Sequence, residues 1–213
     1  MKEFKCYWCG QKAINKEHVP PKSLFPKGKR EQLITVRSCE IHNNHFSKLD
    51  ERFKILFQLA KNSNEVAKNE FTRKTLKALK RKESKRFFDD LKDRVQSKRM
   101  AGKDEVAIAL SGTEHYDFLE KIVRGLYYVH MESPAKNGVV MTFCKQISYE
   151  SLPYSEAIGD LIPLLSSDKM IEGNCSNSDI FYYKYFGKVN TPFLVKFIIY
   201  ENIECVGVIT FED

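Results

Sequence analysis

Two ligand pairs and one histidine hold the chemistry of this chain. Cys6-x2-Cys9 and Cys39-x2-His42 each leave a two-residue gap, the spacing at which a tight turn aims two side chains at one ion. Three thiolates and an imidazole of this kind close a tetrahedral structural zinc site. Between the pairs runs Glu17-His18-Val19-Pro20-Pro21. Two successive prolines cannot continue a β-ladder, so His18 is expected where a strand ends. The competing assignment makes His18 a further zinc ligand or a hydrogen-bonded loop histidine, although His42 already completes the set of four. After Asn43-Asn44-His45, the residues Phe46, Leu49, Phe53, Leu56 and Ala60 recur at three- and four-residue steps, the stripe of a core-facing helix. Residues 6–48 contain three of the six cysteines, three of the five histidines and the only tryptophan.

This order of elements resembles the HNH endonuclease superfamily, the zinc-stapled branch of the ββα-metal nucleases. Their pattern is Cys-x2-Cys, an acidic residue directly before a histidine, a proline soon after, then Cys-x2-Cys-Asn opening a helix. Glu17-His18-Val19-Pro20 fills the first half here and Cys39-x2-His42-Asn43 the second, so the resemblance covers about residues 6–60. Glu17 stands where Asp is usual and His42 where the fourth Cys is usual. Gln32 is the nearest candidate for the middle Asn. The resemblance implies a treble-clef-like ββα-metal module with a structural Zn2+ on Cys6, Cys9, Cys39 and His42. It implies His18 as general base and Glu17 with Asn43 as oxygen ligands of a catalytic Mg2+ or Mn2+. The chemistry is coherent. Phosphodiester hydrolysis needs a water relieved of its proton, which a neutral imidazole provides near pH 7. It also needs positive charge at the departing 3′ oxygen, which a divalent ion on hard oxygen ligands provides. The second reading is a catalytically inactive zinc module that binds nucleic acid or a protein partner. It would keep the zinc ligands but has no need of Glu17, His18 and Asn43.

The charge distribution points the same way. Net charge is +7 over 213 residues, but residues 1–103 carry 27 Lys or Arg against 12 Asp or Glu, a balance of +15. Residues 104–213 carry 8 against 16, a balance of −8. A half so basic is the half expected to face a polyanion. Lys22, Lys27, Lys29, Arg30, Arg37 and Lys48 surround the histidine in sequence and are the expected phosphate contacts. The basic run over residues 65–100 can be a DNA-backbone surface or merely a solvated helix face. DNA is the expected partner and RNA stays open, as does a second copy of the chain or a defence-system protein. No apolar run approaches a membrane span, and MKEFKCYW lacks a signal-peptide core, so a cytoplasmic protein is expected. Cys144, Cys175 and Cys205 stand singly, as buried or inert thiols rather than a disulfide framework.

The elements that must position these residues follow from pattern. Strands are expected over 11–19 and 33–36, with a basic loop at 22–30 between them and the striped helix ending at Asn62-Ser63-Asn64. Residues 65–100 read as two basic helices hinged near Glu83-Ser84, and Ala101-Gly102-Lys103 as a boundary. Beyond it come a strand at 105–110 and a buried helix at 113–132. Gly125 in that helix should mark the close approach of another element, and His115 and His130 read as helix-end residues. Next are a strand at 139–143, a short helix at 156–165, and an antiparallel meander over 180–186, 193–200 and 205–211. The fold class is α+β, with an HNH module at 1–62, a basic helical segment at 63–103 and a mixed domain with an antiparallel sheet at 104–213. There is no nucleotide-binding glycine loop, nucleophile elbow or internal repeat.

Overall fold

A computed structural model of the chain describes residues 3–100, 103–110, 113–144, 162–165 and 167–211. Helices and antiparallel sheets alternate in segregated blocks, so the fold is α+β. Its first block begins with a knuckle. The Cys6 amide donates to Gln11 O (2.7 Å), the Gly10 amide donates to Cys6 O (2.9 Å), and Gly10 takes a left-handed φ of 69°, which glycine adopts at least cost. Residues 11–13 are therefore spent on the knuckle, the Ile14 amide donates to Ser38 O (3.1 Å), and strand β1 (Asn15–His18) is shorter than the pattern suggests. It pairs antiparallel with β2 (Thr35–Ser38), placing His18 opposite Thr35 and Glu17 opposite Val36. One more bond, Val19 N to Ile34 O (3.0 Å), extends the pairing before a cis Val19–Pro20 peptide turns the chain away. The ladder ends at the prolines, as the sequence predicts.

Helix α1 (Glu40–Asn44) and helix α2 (Ser47–Leu59) replace the single helix expected from Asn43 onward. Phe46 and Phe53 are buried, and Leu49, Leu56 and Ala60 pack against the core, as the stripe requires. Asn64 then caps α3 (Glu65–Glu70) by accepting the Ala67 amide at 3.1 Å. The chain passes through a wide helical turn at Phe71–Thr75 into α4 (Leu76–Leu79) and, after a break, α5 (Lys85–Asp93).

Here the structure corrects the sequence reading. Helix was expected through Met100, but β3 (Val95–Met100) pairs antiparallel with β4 (Lys103–Ile108), with Met100 opposite Lys103. Helix propensity in a run of Lys and Arg is a weak preference, and cross-strand pairing overrides it. Of the boundary expected at residues 101–103, Lys103 opens β4, and the other two residues lie outside the described ones. Leu79 and Leu91 of the basic segment form a small apolar cluster with Ile55. A larger apolar cluster takes in Tyr7, Val19 and Phe53 from the first expected segment, Ala67 from the second and Phe118, Leu126 and Ile203 from the third.

The element at the centre of that cluster is α6 (Glu114–Met131). It carries Phe118, Leu119, Ile122, Val123, Leu126 and Tyr127 on its buried side. One flank packs on α2, where Phe118 stacks on Phe53 at 4.3 Å between ring centroids. Another meets β1: a Cβ on Gly125 would lie 2.5 Å from Val19 Cγ2, so the missing side chain is what lets helix and strand touch. Strand β5 (Gly138–Cys144) follows, then α7 (Ile162–Leu165), a short β6 (Ile171–Glu172) that pattern did not reveal, and β7 (Phe181–Phe186), β8 (Phe193–Ile199) and β9 (Ile203–Phe211). Most of the helix expected at 156–165 lies outside the described residues. The sheet order is β5-β9-β8-β7-β6, all antiparallel, with the last three long strands forming the expected meander.

Candidate metal and catalytic site

The two ligand pairs converge. Cys6, Cys9, Cys39 and His42 present ligand atoms that all lie within 4.8 Å of one another. Cys9 Sγ and Cys39 Sγ are 3.9 Å apart, and His42 Nδ1 lies 3.8 Å from Cys6 Sγ and 3.2 Å from Cys39 Sγ. Those separations suit four ligands about 2.0–2.3 Å from a shared zinc ion. The knuckle supplies one pair and the start of α1 the other, with Cys39 at its N-cap. Burial pushes the Cys6 thiol up, but the backbone amides of Cys9, Cys39 and Trp8 outweigh it and leave the thiol below its ordinary value. Burial also lowers His42, which keeps the imidazole neutral, the state in which it ligates. Trp8 stacks on His42 at 5.4 Å, and the Arg124 guanidinium lies 5.2 Å from the Trp8 ring. The C-terminal half thereby braces the clip. Among the described residues this is the only group of three or more His, Cys, Asp or Glu side chains placed to hold a metal.

His18 ends β1, half-buried beside the loop at 22–30. Burial lowers its pKa from 6.5, Lys22 adds to the effect, Glu17 opposes it, and Lys121 and Arg30 add smaller amounts. The ring is therefore neutral at pH 7, as a base must be. Its backbone amide donates to Glu17 Oε1 at 3.0 Å. That same oxygen lies 3.3 Å from Lys121 Nζ of α6. Lys121 has a side-chain exposure of 0% and also reaches Asp50 of α2, at 2.9 Å from Oδ1 and 2.7 Å from Oδ2. Burial pushes the Asp50 carboxyl up to about 6, with Lys121 opposing the shift. A wholly buried ammonium needs such partners, because unpaired it would cost several kcal/mol.

Whether Glu17 and Asn43 suit a divalent ion turns on their free oxygens. Among the described residues no hydrogen bond engages Glu17 Oε2. Asn43 donates through Nδ2 to Asn44 Oδ1 at 3.5 Å, which leaves its own side-chain carbonyl without a hydrogen bond. Each thus keeps one hard oxygen without a hydrogen bond among the described residues. Asn43 makes no hydrogen bond to Glu17 or His18. Gln32 is exposed in the turn before β2 with a left-handed φ of 51°, and is not drawn into this group.

The expected phosphate contacts divide. Lys22, Lys27 and Lys48 are exposed and carry no ion pair among the described residues. Lys29 is paired with Asp179, Arg30 donates through Nε to Phe25 O (2.8 Å), and Arg37 lies 3.9 Å over the Phe4 ring. Further along, Arg73, Lys77, Lys80, Arg81, Lys82, Lys85 and Arg86 are exposed without ion pairs among the described residues, whereas Arg52 and Arg94 are tied to Asp90 and Glu114. Lys121 and Asp50 went unremarked in the sequence, though each left a signal. Asp50 follows Phe46 by four residues and precedes Phe53 by three, a carboxylate on the buried stripe; Lys121 interrupts the apolar face between Phe118 and Ile122. Cys144 and Cys205, far apart in sequence, face one another across β5 and β9.

No family model, curated protein or solved structure matches this chain. Among the described residues no helix is long and apolar enough to cross a membrane.

Proposed function

We propose that this protein is a metal-dependent endonuclease of the HNH type that hydrolyses DNA phosphodiester bonds. The observation that carries the proposal is the state of His18: neutral, half-exposed at a strand end, fixed through its backbone by Glu17, and built onto a Cys3His clip. In this reading the zinc clip is structural and locks the knuckle to the start of α1. His18 takes the proton from the attacking water. Glu17 Oε2 and the Asn43 carbonyl would hold a Mg2+ or Mn2+ ion, which when bound supplies positive charge for the departing 3′ oxygen. Lys22 and Lys48 hold the phosphates on either side by charge alone. The treble-clef-like ββα description of residues 6–60 belongs to the same proposal, supported by the order knuckle, β1, β2, helix.

One observation favours the second reading, a catalytically silent zinc module that binds nucleic acid or a protein. The Glu17 carboxylate already meets a buried cation, Lys121. The two readings separate in a plasmid-relaxation assay with Mg2+ or Mn2+. Nicking that a chelator abolishes is expected; binding without cutting, across metals and DNA forms, selects the silent module.

A further inference from the structure

Glu17, Asp50 and Lys121 come from three elements, β1, α2 and α6, and meet at one buried ammonium. Two carboxylates and one ammonium sum to a single negative charge. The ammonium does not divide itself evenly. Both Asp50 oxygens lie within hydrogen-bonding distance of Nζ, at 2.9 and 2.7 Å, whereas Glu17 comes no closer than 3.3 Å, through Oε1. Asp50 is itself fixed, since its carbonyl accepts Ser23 Oγ at 3.4 Å and it lies in the first turn of α2. Lys121 is seated by the Phe46 ring, 5.2 Å from Nζ, and has no route to water.

We infer that Asp50 is a positioning residue for the catalytic ion: by serving as the counter-ion of Lys121, it leaves the charge of Glu17 uncompensated and its Oε2 free to take a divalent cation. The inference rests on the ion site proposed at Glu17. Without the Asp50 charge, the only carboxylate left to balance Lys121 would be Glu17, and the local sum would fall to zero. A divalent ion a few ångströms away feels each unit of that sum strongly in a partly dehydrated site.

Mn2+ binding to the zinc-loaded full chain, followed by electron paramagnetic resonance at pH 8, tests this by charge. Asp50→Asn (sum zero) should bind Mn2+ at least about tenfold more weakly than wild type (sum −1). The double variant Lys121→Met/Asp50→Asn restores −1 and should return to within about threefold of wild type. Zinc content and melting temperature report folding. Should Asp50→Asn fail to fold, the double variant (sum −1) must still bind Mn2+ within about threefold of wild type, and a clearly weaker affinity would overturn the inference. Folded Asp50→Asn that binds like wild type, or a double variant that does not recover, overturns it while the ion site stands, provided Glu17→Gln weakens binding. If Glu17→Gln binds Mn2+ as wild type does, the ion site fails and the inference with it.

Discussion

His18, His42, His115 and His130 all have pKa values below 6.5, in each case chiefly through burial. The unfolded chain therefore binds more protons than the folded one as pH falls through 6.5. The sign follows: the stability these groups contribute is present above pH 6.5 and lost as pH falls toward their folded values. His130 offers a clean readout away from the metal site, since its Nε2 lies 3.0 Å from Tyr183 OH and its ring stacks on Tyr185 at 3.6 Å. The Asp50 carboxyl, raised to about 6, acts in the opposite sense, losing its contribution as pH rises; with four histidines against one carboxyl, melting temperatures should rise between pH 5 and pH 7, and His130→Phe should show a shallower rise than wild type in thermal scans. At this scale the sequence was informative where chemistry forces spacing. Cys-x2-Cys and Cys-x2-His name their own ligands, and two prolines after His18 fix its place at a strand end. Lys121 was invisible as a partner of Glu17 because the pairing joins positions 104 residues apart, and nothing local requires it.

At the scale of elements, the zinc clip and α6 share the work of holding β1. Removing a ligand by Cys39→Ala should release zinc and lower the melting temperature of the whole chain, because Tyr7, Val19 and Phe53 belong to the same core as α6 and the large sheet. Metal-linked stabilisation in small zinc modules is on the order of 10 kcal/mol, enough to dominate. Zinc content by atomic absorption, with melting scans, checks it; a zinc-free protein of unchanged stability would contradict it. Gly125→Ala tests the other support. Its Cβ would stand 2.5 Å from Val19 Cγ2 and 2.9 Å from Cγ1. Overpacking of this kind costs about 1–3 kcal/mol, and the strand that must give way carries His18. Cleavage should fall with stability, while zinc stays bound. Gly125 was legible as a contact because a glycine inside an apolar helical face has few other uses. The β3–β4 hairpin was not, since its residues are as charged as those of α5 and only their partner strand distinguishes them.

Over the whole molecule, charge and core are arranged differently. The core is continuous across residues that composition divides into a basic half and an acidic half. The surface keeps that division: exposed lysines and arginines without ion pairs run along α4, α5 and the turn between them. If they neutralise phosphates, DNA affinity should fall with salt at a log–log slope of about −0.9 per contact. Replacing Lys80, Arg81 and Lys82 by Ala should flatten that slope by about two to three; an unchanged slope returns these residues to solvated helix faces. The asymmetry was legible from composition, and the large cluster shared by both halves was not, because burial depends on which faces meet in space. The central claim is that His18 removes a proton from water. It is tested most directly by plasmid nicking with His18→Ala beside wild type, in Mg2+ or Mn2+. Cleavage should drop ~10²–10⁴-fold, the contribution of a positioned base, with zinc content, melting and DNA affinity unchanged and no rescue by added metal. A His18→Ala protein that nicks DNA as fast as wild type would contradict the account.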